Sequence, residues 1–398
     1  MRRVLYIDVR SEDQSGGDKS RSRFLFQTLG SAFETDLLLI HPHGSKPSHS
    51  PHPPNHKPIL EFHALPPAWN HSDSVFRIGP TESRAYFDLL SARRYAAVVC
   101  RFHSPWFLAA AAEIHPSRPA IVIDLDMVSS RLIGLTWRQA PSFRNRWFLL
   151  ERIKLERLER HLLHKPWLVF FSNPVERDQM ALELTRQRSR VRLGILPHIL
   201  VAPTSPPHPE SNPVILFFGS LNSAANTDAF RFLMLDILPL IDADLRRHDV
   251  RIHVAGKDPP PWFTTLIQES GSDRVALIGC VDSMEAAIAN SRFVLLPLRV
   301  ASGTRTRILE AAAQLRTVVT TPIGAEGIAV GADAIIASEP EGLAMGIRRL
   351  LDAPDRAVDL GRRLGDRCRD RYRESRIAGE FLSQMNEFLK AHDDSRPA

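Results

Sequence analysis

Short apolar runs alternate with amphipathic stretches from the first residues onward. Val4–Asp8 (VLYID) and Asp36–Ile40 (DLLLI) each read as a buried strand, and Arg21–Leu29 (RSRFLFQTL) between them places Phe24, Leu25 and Thr28 at helical spacing. Strand, helix and strand in that order begin a parallel sheet. Ala96–Cys100 (AAVVC) and Ala120–Asp124 (AIVID) extend it around a helical Ser104–Ile114, and Leu168–Ser172 (LVFFS) and Val191–Leu196 close this half. The rhythm then breaks. Val201–Pro213 (VAPTSPPHPESNP) holds five prolines among polar residues, which suits a linker and forbids a packed element. Strand candidates restart at Val214–Gly219, Val250–Ala255, Val275–Ile278, Phe293–Pro297 and Thr317–Thr321, with helices predicted over Ala225–Ile241, Met284–Asn290 and Thr306–Leu315. No short-period repeat accompanies the alternation, which disfavours solenoids and propellers. The predicted architecture is α/β with two Rossmann-like domains, one over residues 1–203 and one over 204–370.

Composition agrees with two domains. At 398 residues the chain exceeds the size at which one hydrophobic core stops growing. Its 43% apolar and 24% charged content is that of an ordinary globular protein. Three distant cysteines, Cys100, Cys280 and Cys368, rule out a disulfide scaffold and a cysteine-rich zinc site, and suit a reducing compartment. The N-terminal apolar run is short and carries Asp8, so it does not read as a signal peptide. No apolar stretch approaches the roughly 20 residues of a membrane span. The expectation is therefore a cytoplasmic protein. A formal charge of +6 favours an anionic partner without choosing among nucleotide, nucleic acid and acidic membrane. His41–Pro58 stands apart, with five histidines and six prolines; it reads as a long loop rather than a metal-binding tract, because so many prolines leave no helical His pair.

The densest chemistry lies in Arg299–Ala313 (RVASGTRTRILEAAA), where a strand gives way to a helix whose apolar positions are Ile308, Leu309 and Ala312. Small residues Ala301, Ser302 and Gly303 sit where unpaired amides and the positive end of the helix dipole favour a phosphate. Gly303 lets backbone approach a ligand closely. Arg305 and Arg307 in a first turn oppose the dipole and make better sense with an anion before them. Glu310, further in, can accept a bidentate hydrogen bond from a ribose diol. The plain alternative is a capped helix with a solvated charged face. Gly219–Asn226 (GSLNSAAN) and Gly256–Asp258 (GKD) follow other strands of this half, and Gly16–Lys19 (GGDK) precedes the first helix of the other. Glycine turns at strand carboxyl ends are where doubly wound sheets bind ligands. None fits the dinucleotide or P-loop spacing, so a dehydrogenase or P-loop ATPase is disfavoured.

These residues reach a family resemblance. ILFFGSLNSAANTDAFRFL, VRIHVAGKDPP, VALIGCVDSM and above all LPLRVASGTRTRILEAAAQLRTVVTTPIGAEGI resemble the donor-binding half of the GT-B glycosyltransferases of group 1. More loosely, SGGDKSRSRFLFQTL resembles the family's opening glycine turn and helix (Gly16 and Gly17 at the turn), and AIVIDLDMVSSRL its aspartate-rich segment. The likeness is poor between about His41 and Ser91.

The resemblance implies two Rossmann-like domains facing a central cleft, with helices after about Arg371, residues 371–398, returning to the first domain. It implies retaining, metal-independent transfer of a sugar from a UDP- or GDP-sugar, without a further cofactor, to an acceptor that is a glycan, a lipid-linked species or a cell-envelope polysaccharide precursor. The family's paired-glutamate signature falls on Ser302 through Glu310: Glu310 matches the ribose-binding glutamate, and Ser302 replaces the sugar-contacting one. Gly303 and Thr304 match the turn at the donor sugar and diphosphate. Where the family often has a cationic clamp, this chain reads Asn222 to Asn226, so Arg305 or Lys257 takes that role. Gly219 and Asn226 lie in the adjoining glycine turn, and the loop ending at Val281 resembles the one packed on the nucleobase. In the first half, His103 and Asp126 occupy strand ends comparable to the family's reaction side, as candidates to deprotonate an acceptor.

Arg138–Lys165 carries eight basic and three acidic residues, and Leu150, Ile153, Leu158 and Leu162 trace part of an apolar face. This helix is a candidate for resting on the anionic inner face of a membrane; the alternative is a core-packed helix with ion pairs such as Glu156–Arg160. A non-catalytic nucleotide-sugar-binding or scaffold protein on the same fold is the rival function. Nucleic-acid binding ranks last, because aromatic residues do not interleave the basic clusters.

Overall fold

The computed structural model describes residues 1–9, 16–44, 57–66, 77–102, 105–139, 147–184, 189–204 and 213–395. The chain divides into two compact units, one of Met1–Ser130, Trp147–His198 and Ser375–Ala398, the other of Arg131–Arg146 and Ile199–Glu374.

The first unit is built on a seven-stranded sheet in the order β3-β2-β1-β4-β5-β6-β7. Its strands are β1 (Arg3–Val9), β2 (Glu34–His41), β3 (Leu60–His63), β4 (Ala97–Arg101), β5 (Ala120–Asp126), β6 (Leu168–Phe171) and β7 (Arg192–Ile195). Every neighbouring pair is parallel. Val4, Leu5, Tyr6 and Ile7 are fully buried, as strands covered by helices on both faces must be. The order turns back between β1 and β4, the place where doubly wound sheets leave a crevice at their carboxyl ends. The last helix, Glu374–Asp394, belongs to this unit and buries Ile377, Phe381, Met385, Phe388 and Leu389 along one face. Phe381 lies against Phe170 of β6 with ring centroids 5.1 Å apart, and His392 contacts the Arg118 carbonyl.

The second unit carries a six-stranded parallel sheet in the order β10-β9-β8-β11-β12-β13. Its strands are β8 (Val214–Phe218), β9 (Arg251–Ala255), β10 (Val275–Gly279), β11 (Phe293–Leu296), β12 (Val318–Thr320) and β13 (Ile335–Ile336). The turn-back lies between β8 and β11. Both units are thus doubly wound α/β sheets of Rossmann type.

The elements read from periodicity are all present, with shifts at their ends. The expected helix over Ala225–Ile241 is not continuous: Ala224–Phe232 is α-helical, Leu233–Ile237 is a π turn, and Leu238–Arg247 resumes the α-helix. Pro239 has no N–H to give and its ring crowds the carbonyl four residues back, so the turn widens ahead of it. Leu60–His63, the helix Pro80–Ala92 and Ile335–Ile336 were not foreseen. The first two sit in polar, proline-bearing sequence, and the third is too short to show a period. Residues 45–56 of the His/Pro tract and 205–212 of the linker lie outside the described residues.

Candidate functional site

In the second unit the strand ends are laced together by glycine turns. The Gly219 N–H donates to the Ala255 carbonyl (3.1 Å), the Gly256 N–H to the Gly279 carbonyl (2.7 Å), and the Leu221 N–H to the Lys257 carbonyl (3.1 Å). Gly256 has φ +151°, and a Cβ there would lie 1.8 Å from the Gly219 carbonyl oxygen, so only glycine lets the ends of β8 and β9 come this close. Lys257 then emerges exposed from the turn, as does Cys280 from the next, where Val281 is half-buried.

The helix Thr306–Ala313 starts beside this row. Its entry turn holds half-buried Ser302 and Thr304 around a buried Gly303 at φ +73°, a conformation glycine adopts without strain. Arg305 is the residue preceding the helix, not part of its first turn, and its side chain folds inward to donate to the Gly303 carbonyl and, at 3.1 Å, to the Ile323 carbonyl. Arg307 also turns to protein: its Nη1 donates to the Phe218 carbonyl (2.7 Å) and to Asn226 Oδ1 (2.6 Å). Asn226 in turn donates from Nδ2 to the Ser220 carbonyl at 2.7 Å. Desolvation pushes the Arg307 guanidinium down to about 10 against the opposing pull of Glu310, so it stays charged at neutral pH. These two arginines, expected to face an anion, are instead braces for the turns after β8 and β11. Lys257 is an exposed cation at the turn after β9, and Glu310 lies half-buried one turn into the helix.

A second concentration of charge lies in the first unit, at the carboxyl ends of β4 and β5. Arg21, from the helix Gly16–Ala32, grips Asp124 with two hydrogen bonds, Nε to Oδ2 at 2.9 Å and Nη2 to Oδ1 at 2.6 Å. Arg101 Nη1 bridges Asp124 Oδ2 (2.9 Å) and Asp126 Oδ2 (3.1 Å). His198 Nε2 lies 3.0 Å from Asp126 Oδ1. All five side chains are buried. Burial alone would raise the Asp126 carboxyl, but Arg21, His198 and Arg101 outweigh it and hold Asp126 well below the usual carboxylate range. Asp126 sits at φ +60°, after an irregularity in the β5–β6 pairing that re-aims its side chain.

The structure therefore groups Gly219, Asn226 and Lys257 with the turn that carries Val281, and places Ser302, Gly303, Thr304, Arg305 and Glu310 around the neighbouring helix start. Gly16 and Gly17 open the first helix of the other unit, and Asp126 lies in that unit's charge cluster. His103 lies outside the described residues. Sequence reasoning missed Arg21, Arg101, Asp124 and His198. A charged residue ending a buried apolar strand (AVVCR, AIVIDLD) is the signal that could have found three members of the cluster.

Two doubly wound parallel sheets in one chain are the elements of the GT-B fold, which the solved structures named below share. Residues 212–353 match the family described as glycosyl transferases group 1. Among solved structures the chain is similar to a sucrose-phosphate synthase from Thermosynechococcus elongatus, at 15% identity and a TM-score of 0.68, covering 98% of this chain and 100% of that one. It is also similar to HepE of Anabaena in complex with UDP and glucose, at 13% identity and TM-score 0.63, over 96% and 99% of the two chains. WaaG, a glycosyltransferase involved in lipopolysaccharide biosynthesis, has 14% identity and TM-score 0.60, over 94% and 98%. The search of curated proteins finds no match. Among the described residues no helix is long and apolar enough to cross a membrane.

Proposed function

We propose that the protein transfers a sugar from a UDP- or GDP-sugar, with retention and without a bound metal, to a glycan or lipid-linked acceptor in the making of cell-envelope polysaccharide. The observation that carries the reading is the Gly303 turn opening the helix Thr306–Ala313, with Glu310 on that helix, inside the stretch that matches the family. The Gly303 turn lets backbone approach the diphosphate, Lys257 can add a cation, and Glu310 can accept from the ribose diol. That cation would stabilise charge on the departing diphosphate, which is the work a metal does elsewhere. Ser302 supplies a hydroxyl to the transferred sugar where a carboxylate is common. The complexes of HepE with UDP and glucose and the role of WaaG in lipopolysaccharide synthesis support the donor and acceptor classes.

The experiment is donor turnover. UDP-glucose, UDP-N-acetylglucosamine and GDP-mannose are offered with and without EDTA, and the anomeric configuration of the product is read by NMR. Retained configuration and indifference to EDTA support the reading; inversion or loss of activity with EDTA refutes the corresponding part.

The reading extends to a lipid surface. Along the helix Trp147–Leu163, Trp147, Leu150 and Ile153 are exposed, followed on the same side by exposed Arg157 and Arg160, while Glu151, Leu155, Glu159, Leu162 and Leu163 face the core. Leu150 and Ile153 thus do not share a face with Leu162 as expected. Aromatic and aliphatic side chains backed by arginines suit the headgroup region of an anionic bilayer. Glu156 pairs with Arg152 (2.7 Å) and, as the alternative reading expected, with Arg160 (3.6 Å). Sedimentation with phosphatidylglycerol vesicles but not with phosphatidylcholine vesicles, abolished in Trp147→Ser/Leu150→Ser, is the expected result; equal sedimentation of both proteins would refute it.

A further inference from the structure

Bracing accounts for one nitrogen of Arg307 and leaves the rest of its guanidinium unspent. Nη1 gives its two hydrogens to the Phe218 carbonyl (2.7 Å) and to Asn226 Oδ1 (2.6 Å). Asn226 is itself held by the bond from Nδ2 to the Ser220 carbonyl (2.7 Å), so its oxygen is the atom turned to Arg307. Nε and Nη2 donate to no protein atom among the described residues, and neither is sealed from solvent. Those two nitrogens form the edge with which a guanidinium meets a phosphate or carboxylate through two parallel hydrogen bonds. Both acceptors in place are neutral, and Glu310 acts on Arg307 through space rather than in an ion pair. A half-buried positive charge without a paired anion is unfavourable until one arrives.

Arg305 differs. It is 5% exposed, and both of its Nη atoms go to main-chain carbonyls, those of Gly303 and Ile323. Arg307 is the second residue of the helix Thr306–Ala313, so its backbone lies just past the Gly303 turn. Its guanidinium reaches the Gly219 turn, where a Cβ on Gly219 would lie 2.9 Å from Nη1. One side chain thus spans the turns after β8 and β11, and all of its partners belong to the second unit. The stretch Asn222–Asn226 carries no cation of its own, and Arg307 brings one against it from a different element.

We infer that Arg307 grips the diphosphate: Nη1 fixes the guanidinium on the Gly219 turn, and the Nε–Nη2 edge takes two oxygens of the pyrophosphate group of a nucleoside diphosphate. The identity of the ligand rests on the transfer reading above; the open edge of the guanidinium does not. A fork aimed in advance by its own brace loses little freedom when the anion arrives. Lys257, a point charge at the neighbouring turn, adds attraction without fixing geometry.

The test is calorimetry of UDP and GDP, of uridine and guanosine, and of inorganic pyrophosphate with the full-length chain, wild type against Arg307→Lys, with thermal melting alongside. Lysine keeps the charge and loses the fork. The nucleoside diphosphate that binds, and pyrophosphate, should each weaken by about tenfold or more, while the matching nucleoside is unchanged. Equal weakening of nucleotide and nucleoside marks a merely structural role and overturns the inference, as does wild-type nucleotide affinity in the variant; the transfer reading survives both. If wild type binds neither nucleotide, the transfer reading fails and pyrophosphate alone decides. Pyrophosphate binding that Arg307→Lys weakens supports the fork, and no binding, or binding that the variant keeps, overturns it. Should Arg307→Lys fail to fold, phenylglyoxal labelling of wild type, read by peptide mass spectrometry, takes its place. Label on Arg307 that pyrophosphate prevents supports the inference; an unlabelled Arg307, or label indifferent to pyrophosphate, overturns it.

Discussion

The two units place opposite chemistry at equivalent points of one architecture. At the turn-back of the first sheet, charge is concentrated, paired and sealed: Arg21, Arg101, Asp124 and Asp126 are all nearly inaccessible. At the turn-back of the second, the two arginines of the helix start turn inward to protein acceptors. Arg305 and Arg307 donate to carbonyls, Gly256 and Gly303 are buried, and Lys257 and Asp258 stand exposed at the turn after β9. A buried ion network fixes the position of a few atoms, whereas glycine turns bring the backbones of neighbouring strand ends close together. The doubly wound frame supplies both sites without dictating either.

Breaking the sealed side should cost most in stability. Arg101→Ala leaves Asp126 and Asp124 short of a cation, and removing one partner of a buried pair costs about 3–5 kcal/mol. Denaturant unfolding should show that loss, with UDP affinity of the surviving folded protein unchanged. A midpoint like that of wild type would mean the network is not holding the first unit together. Gly256→Ala tests the crowding of the other side. Its Cβ would strike the Gly219 carbonyl, so a destabilisation of about 2–3 kcal/mol together with weaker UDP binding is expected, and a neutral result would refute the close approach of the two turns.

Lys257→Ala isolates ligand recognition from folding. An exposed lysine contributes little to stability, within about 0.5 kcal/mol. Its removal should weaken UDP by about tenfold, near 1.4 kcal/mol, and leave uridine binding unchanged. Equal effects on both ligands would move the diphosphate elsewhere.

The smallest effect is a pH dependence in the first unit. Glu159 is buried and accepts hydrogen bonds from the Ser130 N–H and hydroxyl at the start of the helix Ser129–Gln139. Burial pushes its carboxyl up to about 7, against about 4.3 when unfolded. A raised carboxyl stabilises most below its unfolded value, and that contribution is lost as pH rises through about 7. Glu159→Gln keeps an acceptor and removes the charge, so its melting temperature should exceed that of wild type at pH 8 and match it near pH 4. A constant difference across that range would contradict the assignment. Asp126 acts in the opposite sense, being held low, so its contribution is present above its unfolded value and fades only in strong acid.

Much of this was legible in the sequence, and what was not has identifiable causes. Runs such as VLYID and VILFF announced the two parallel sheets because both faces of each strand are buried. The Gly303 turn could be placed at a strand-to-helix junction because glycine there marks a left-handed turn, which the structure has at φ +73°. The partners of Arg305 and Arg307 could not be read, since their acceptors are main-chain carbonyls of Phe218, Gly303 and Ile323, which every residue type offers equally. Arg21 and Asp124 are separated by 103 residues, and only the sheet order brings them together. The strand Leu60–His63 was hidden by its length and its polar neighbours.

The account turns on the helix start that follows β11. Calorimetry of UDP and GDP with the full-length chain, wild type against Glu310→Gln, tests it most directly. Saturable wild-type binding of at least one of them, weakened about tenfold or more in the variant with an unchanged melting temperature, is the predicted result. Equal affinities in the two proteins, or no heat of binding for either nucleotide, would contradict it.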